Sequence, residues 1–142
     1  MTTTKHTAHW TLQALAQAGV RTIVFSPGSR NAPLVIAAEA LGSFTLEVLG
    51  DERSAGFNAL GRSLVTGAPV AVCCTSGSAL ANYYPAVLEA YYAHVPLIVI
   101  TAGRPQERIN KGEGQTCVQR DFYEPQVAAS VHIEEDASAT EV

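Results

Sequence analysis

Four short segments of this chain hold residues suited to chemistry. The first is Leu49-Gly50-Asp51-Glu52-Arg53-Ser54-Ala55-Gly56-Phe57, where acidic residues stand between an apolar run and small residues. Twenty-three residues after Glu52 begins Thr75-Ser76-Gly77-Ser78-Ala79, which follows a second apolar run. Two similar breaks carry Ser26-Pro27-Gly28-Ser29-Arg30 and Thr101-Ala102-Gly103-Arg104-Pro105. A rigid carboxylate can direct protons, Arg presents a planar fork that matches carboxylates and phosphates, and small residues let a ligand approach backbone N–H groups. Gathered at one sheet edge, the four segments form a crevice for an anionic ligand with one acid held for a special task.

Taken singly, each segment has a plainer reading. Ser26 to Arg30 also fits a turn and helix cap. Thr75 to Ser78 lacks the Lys and spacing of a P-loop and the glycines of a dinucleotide fingerprint. Glu52 near a helix start also suits the helix dipole, and most of the seven Arg fit an ordinary surface.

The elements that must position these residues read as strand–helix alternation. The spacing predicts a helix near residues 4–18, a buried strand over Thr22–Ser26 and a helix from Leu34 to Leu41, started by Asn31 and Pro33. A strand from Phe44 to Leu49 leads to the Glu52 loop, followed by a helix from about Ser54 to Val65. The small residues Ala55, Gly56, Ala59, Gly61 and Ser63 form a surface open to close approach. Val70 to Cys74 is the third strand, Ala79 to Tyr92 a helix that Pro85 starts or kinks, and Val95 to Thr101 the fourth strand. Gly103 to Gln119 reads as a long polar loop of the kind that is commonly functional. Val127 to Ile133 reads as a helix end and a fifth strand. The alternation predicts a three-layer α/β/α domain with a mainly parallel sheet.

Composition narrows the function classes. The chain has 142 residues, 47% of them hydrophobic and 15% charged, which fits one well-cored domain. The net charge of −4 resides in the tail acids Glu134, Glu135, Asp136 and Glu141, leaving a neutral body without the basic footprint of a nucleic-acid binder. The three cysteines, two of them adjacent at Cys73 and Cys74, read as reduced thiols of a cytoplasmic protein and match no zinc spacing. No signal-peptide core or membrane span is legible.

The motifs together resemble the pyrimidine-binding domain of thiamine-diphosphate enzymes, on Glu52, Ala55, Ala59, Gly61, Arg62, Gly67, Thr75-Ser76-Gly77 and Asn82. More narrowly, the Ser26–Arg30, Asp51–Arg53, Thr75–Asn82, Pro85–Ala90 and Ala102–Glu107 segments are similar to the carboligating synthases of the menaquinone pathway, a likeness running from Trp10 to about Ile133. The resemblance implies thiamine diphosphate as cofactor, with Glu52 holding the ring nitrogen of its aminopyrimidine and favouring the tautomer that takes a proton from the thiazolium carbon. It implies Thr75 and Ser76 in the pyrimidine pocket, unless they only shape the turn. It places Ser29, Arg30, Arg104 and Gln115 around isochorismate and the reaction intermediate, with 2-oxoglutarate as the other substrate. Asn31 and Arg53 rank lower as neighbours, and Arg108 and Lys111 read as loop charges in solvent.

In that family Mg2+ or Mn2+ holds the diphosphate through a Gly-Asp-Gly sequence of a separate domain, and no Gly-Asp-Gly occurs here. The chain therefore reads as a fragment, residues 1–142 of a longer enzyme that is a homodimer or dimer of dimers, cut before the domain's last helix and strand and inactive by itself. The helix from Ser54 and the tyrosines at 83, 84, 91 and 92 suit either the dimer interface or core packing. A fragment of this kind is expected to leave a sheet edge exposed or a fifth strand unsettled. Two other functions stay open: an acetolactate-synthase-like carboligase, and a non-catalytic module binding anions on Thr75 to Ser78.

Overall fold

The computed structural model describes residues 5–134 and 137–140. The chain alternates α1 (His6–Gln17), β1 (Thr22–Phe25), α2 (Ala32–Leu41), β2 (Thr45–Val48), α3 (Glu52–Thr66), β3 (Val70–Cys74), α4 (Ala79–Tyr92) and β4 (Leu97–Thr101), then a 3₁₀ turn at Gln106–Arg108. The four strands are parallel in the order β2-β1-β3-β4. α1 starts within the range that its periodicity predicts; residue 4, the first of that range, lies outside the described residues.

Side-chain alternation divides the core into two faces. Val24, Val70, Val72 and Cys74 point toward α3 and α4, where Ala55, Ala59, Leu80, Tyr83 and Val87 bury them. Ile23, Phe25, Ala71 and Cys73 point the other way, toward Leu12, Ala37 and Ala38 of α1 and α2. Helices on both faces explain why β3, the run Val-Ala-Val-Cys-Cys, is buried at every position. This is the three-layer α/β/α arrangement that the alternation predicts.

The local starts and stops have identifiable causes. Asp51 caps α3 by accepting a hydrogen bond from Ser54 N at 2.8 Å, which holds its carboxyl below the usual range. Gly42 and Gly67 end α2 and α3 in the left-handed conformation. Pro85 lies inside α4, which begins six residues earlier at Ala79.

The small-residue face of α3 meets α4 of the same chain. A Cβ on Gly56 would lie 3.0 Å from Ala86 Cβ and 3.3 Å from Tyr83 Cδ1. Ala55, Gly56, Ala59 and Tyr83 are buried, as is Ser63, whose hydroxyl donates to Ala68 O at 2.8 Å, whereas Gly61, Tyr91 and Tyr92 are exposed. Tyr84 is half-buried and stacks on Tyr123.

The region after β4 departs from expectation. No helix end and no fifth strand form over Val127–Ile133. Cys117, Tyr123 and Val127 pack instead on the α3–α4 side of the core, and Tyr123 Oη donates to Leu80 O at 2.7 Å. The chain thus crosses α4 rather than entering the sheet, and Val131 is left 77% exposed. Its β-branched residues favour a strand only where a neighbouring strand is available to receive them. β4, paired among the described residues only with β3, forms one edge of the sheet.

Candidate active site

The chain reverses direction across the sheet at β1, which is flanked by β2 on one side and β3 on the other. Ligand crevices of open α/β sheets form at such a switch, beyond the carboxyl ends of the strands. Backbone bonds keep these ends level: Ser26 N donates to Cys73 O at 2.8 Å, Leu49 N to Phe25 O at 2.9 Å, and Ala102 N to Cys74 O at 3.1 Å.

A cleft of about 470 Å³ opens at this edge, lined by Glu52, Thr75 to Ala79, Asn82, Gln115, Thr116 and Cys117. Glu52, the first residue of α3, is half-buried, and its Oε2 accepts from Asn82 Nδ2 of α4 at 3.2 Å. The carboxylate is therefore aimed by a neighbouring helix. Ser76 is 2% exposed, and its Oγ has no protein partner. A buried hydroxyl left in this state is costly unless a ligand or water completes it.

The cover of the cleft is the segment from Glu113 to Gln119. Gln119 Oε1 accepts from Gly77 N at 3.2 Å, while its Nε2 donates to Ala102 O at 3.3 Å, so one side chain ties the β3 and β4 loops together. Gly77 (φ +85°) is pressed against this cover: a Cβ there would stand 2.9 Å from Gln115 Cα. Gln115 is itself left-handed, at φ 58°. Nothing in the sequence marked Gln119, because its two partners come from loops 42 and 17 residues away.

The predicted arginines divide. Arg104 is largely buried, donates to Gly114 O at 3.2 Å, stands 4.0 Å from Glu113 and keeps an unpartnered buried Nε. Arg30 is exposed at the rim, its backbone N donating to Thr75 Oγ1 at 3.4 Å. Ser29 and Arg53 are exposed and lie outside the cleft lining. Thus Glu52, Thr75, Ser76 and Gln115 share one space, Arg104 adjoins it through Gly114, and Arg30 meets Thr75 through its backbone N, with Ser29 exposed beside it in the chain. The expectation that all four segments form one crevice is corrected for their arginines: Arg30, Arg53 and Arg104 all lie outside the cleft lining, and Arg53 projects from the first turn of α3 into solvent. Arg108 and Lys111 are both exposed loop charges, Arg108 standing 3.4 Å from Glu113 in a surface pair.

A second hollow of about 550 Å³ lies at the opposite edge, near the starts of β1 and β3. Its charged groups are already engaged, Arg62 by Glu47 and Asn58 and Arg21 by the Ala16 and Val20 carbonyls. Among the described residues, no group of three or more His, Cys, Asp or Glu is placed to hold a metal ion.

Comparison with known proteins bears on this geometry. Residues 5–124 match the family model described as "Thiamine pyrophosphate enzyme, N-terminal TPP binding domain". The chain belongs to this family. It is 50% identical over 120 residues to a Flavobacterium johnsoniae protein, 53% over 125 to one from Phocaeicola vulgatus and 48% over 129 to one from Mycobacteroides abscessus. All three are named 2-succinyl-5-enolpyruvyl-6-hydroxy-3-cyclohexene-1-carboxylate synthase. The alignments take in 84%, 87% and 89% of this chain but only 22%, 22% and 24% of the relatives. The TPP-binding domain thus spans under a quarter of their length. It also superposes on the crystal structure of benzoylformate decarboxylase from Polynucleobacter necessarius with a TM-score of 0.75 at 26% identity, covering 92% of this chain and 24% of that one.

The cysteines of the domain are chemically unequal. Burial pushes the Cys73 thiol far up, and burial with the nearby Glu52 charge pushes Cys74 up to about 12. Cys117 is only half-buried and lines the cleft, so reagents reach it. Iodoacetamide at pH 8 is expected to label Cys117 alone in the native protein and all three after denaturation, read by peptide mass spectrometry. Native labelling of Cys73 or Cys74 would contradict this packing.

Proposed function

We propose that this domain is the cofactor-activating part of a thiamine-diphosphate synthase that decarboxylates 2-oxoglutarate and joins the resulting four-carbon unit to isochorismate, in menaquinone or phylloquinone formation. The observation that carries the reading is the shared cleft of Glu52 and the unpartnered Ser76 hydroxyl, in a chain about half identical to synthases of that name. An orphaned buried hydroxyl beside an oriented carboxylate fits the polar edge of an aminopyrimidine. Its ring needs an acid group on a nitrogen and a small polar contact.

In this reading Glu52, Thr75 and Ser76 hold the pyrimidine. Glu52 is the catalytic residue, holding a proton at the ring nitrogen, and Asn82 keeps its carboxylate in place. Thiamine diphosphate, when bound, supplies carbanion chemistry that side chains cannot. Ser29, Arg30, Arg104 and Gln115 surround isochorismate and the intermediate; isochorismate is a dicarboxylate, for which Arg is the matched partner. Mg2+ or Mn2+ and the diphosphate are held by residues outside this chain, in a cytoplasmic homodimer. No described helix is long and apolar enough to cross a membrane.

The test is direct. Full-length protein with thiamine diphosphate, magnesium, 2-oxoglutarate and isochorismate is expected to deplete isochorismate absorbance. Omitting 2-oxoglutarate stops the loss. An acetolactate-type carboligase would leave isochorismate untouched, and a phosphate-binding module would turn over nothing. Residues 1–142 alone are expected to bind thiamine diphosphate weakly by calorimetry; submicromolar affinity would sink the division of the site between domains.

A further inference from the structure

Asn31 stands where a helix cap is expected, at the start of α2, yet its side chain caps nothing. It is 0% exposed and turns back into the preceding loop. Its Oδ1 accepts from Gly28 N at 2.8 Å, and its Nδ2 donates to Ser26 O at 2.9 Å and touches Cys73 Sγ at 3.9 Å. A residue ranked from the sequence as a possible neighbour of the substrate is thus sealed away from it.

The rest of the loop is fastened from beneath. Tyr83 Oη donates to Ser26 Oγ at 3.2 Å. Thr75 Oγ1 accepts from Arg30 N at 3.4 Å. Gly28 lies against the same threonine so closely that a Cβ would come within 2.4 Å of Thr75 Cβ. Backbone groups at 26, 28 and 30 are therefore pinned, while the side chains of Ser29 and Arg30 remain exposed.

A buried amide is costly unless bonded, and when bonded its net stabilisation is modest. An apolar residue in the same space would leave Gly28 N and Ser26 O without their partners. What the amide adds is geometry: it fixes one loop to one place, reducing the ordering that substrate binding must otherwise impose.

We propose that Asn31 is a positioning residue for substrate recognition, setting the Ser29–Arg30 turn against Thr75 so that the Arg30 guanidinium meets the carboxylated ring substrate at a defined point. This rests on the reading that Arg30 binds isochorismate. The test uses the full-length enzyme with thiamine diphosphate and magnesium. Asn31→Asp keeps shape and the acceptor for Gly28 N but loses the donor to Ser26 O.

The isochorismate KM of Asn31→Asp is expected to rise about tenfold or more. Decarboxylation of 2-oxoglutarate, read with an artificial electron acceptor in place of isochorismate, is expected to stay within about twofold, because that half-reaction proceeds without isochorismate. In an Arg30→Ala background, the Asn31→Asp change is expected to add almost nothing to the KM. Asn31→Ser provides a second variant through the same assays should Asn31→Asp fail to fold.

An unchanged isochorismate KM overturns the proposal. So does an equal loss in both half-reactions, or an Asn31 effect that persists undiminished without Arg30. An Arg30→Ala enzyme with normal isochorismate KM fails differently: it removes the assignment of Arg30, and with it the purpose of the clasp.

Discussion

Glu52→Gln in the full-length protein is expected to lower turnover about 10²–10⁴-fold, the scale on which a lost acid–base group is felt. The substitution is conservative in shape. The amide oxygen still accepts from Asn82, which reaches Glu52 at 3.2 Å, so the side chain stays oriented while its acid function is gone. Because Glu52 is only half-buried and not part of the hydrophobic core, stability is expected to change by no more than about 0.5 kcal/mol. Steady-state kinetics at saturating cofactor, with a thermal melt of the same preparation, separates chemistry from folding. Normal turnover in this variant would end the catalytic role of Glu52.

Tyr83→Ala is expected to have the largest effect on folding. Tyr83 is the largest fully buried side chain among the described residues, packed beside Gly56 between α3 and α4, with its hydroxyl bonded to Ser26. Removing an aromatic of that burial costs about 3–5 kcal/mol, through lost contacts and the cavity left behind. A domain has only about 5–15 kcal/mol in total, so the variant should lose much of its folded population at growth temperature. Tyr83→Phe keeps the packing and strands only the Ser26 hydroxyl, at about 1 kcal/mol. Denaturant titration of both variants against the parent measures the difference. Equal losses would mean that the hydroxyl, not the ring, stabilises this core.

The two predictions concern neighbouring residues of one helix surface. Asn82 reaches Glu52 and Tyr83 reaches Ser26, so a single turn of α4 supports both the acid group and the loop that carries Arg30. The Asn82 and Thr75-Ser76-Gly77 motifs were legible as residues, but their contacts were not. Tyr83 read equally well as interface or core, since an aromatic at helical spacing looks the same in either setting. Only the close approach of Gly56, which admits the ring, places it inside.

Local information was sufficient for the alternation of strands and helices. Continuous apolar runs at Val70–Cys74, and glycine stops at Gly42 and Gly67, are read within a few residues of where they act. The same local reading put Glu52 and Thr75-Ser76 after strands, and a parallel sheet brings such ends to one edge. It misjudged Val127–Ile133, where β-branched residues suggest a strand but the neighbouring chain packs across α4 through Tyr123 and Val127.

The sequence by itself therefore determined the layers, the order of elements and the acid at the crevice, because short-range patterning and chain connectivity set all three. Tertiary structure decided what surrounds that acid. The unpartnered Ser76 hydroxyl, the Gln119 tie and the buried Asn31 amide depend on groups brought together across the sheet, such as Asn31 with Cys73, 42 residues apart, and Tyr83 with Ser26, 57 apart. Burial and hydrogen-bond partnership are properties of those assembled surroundings, and no residue type carries them alone.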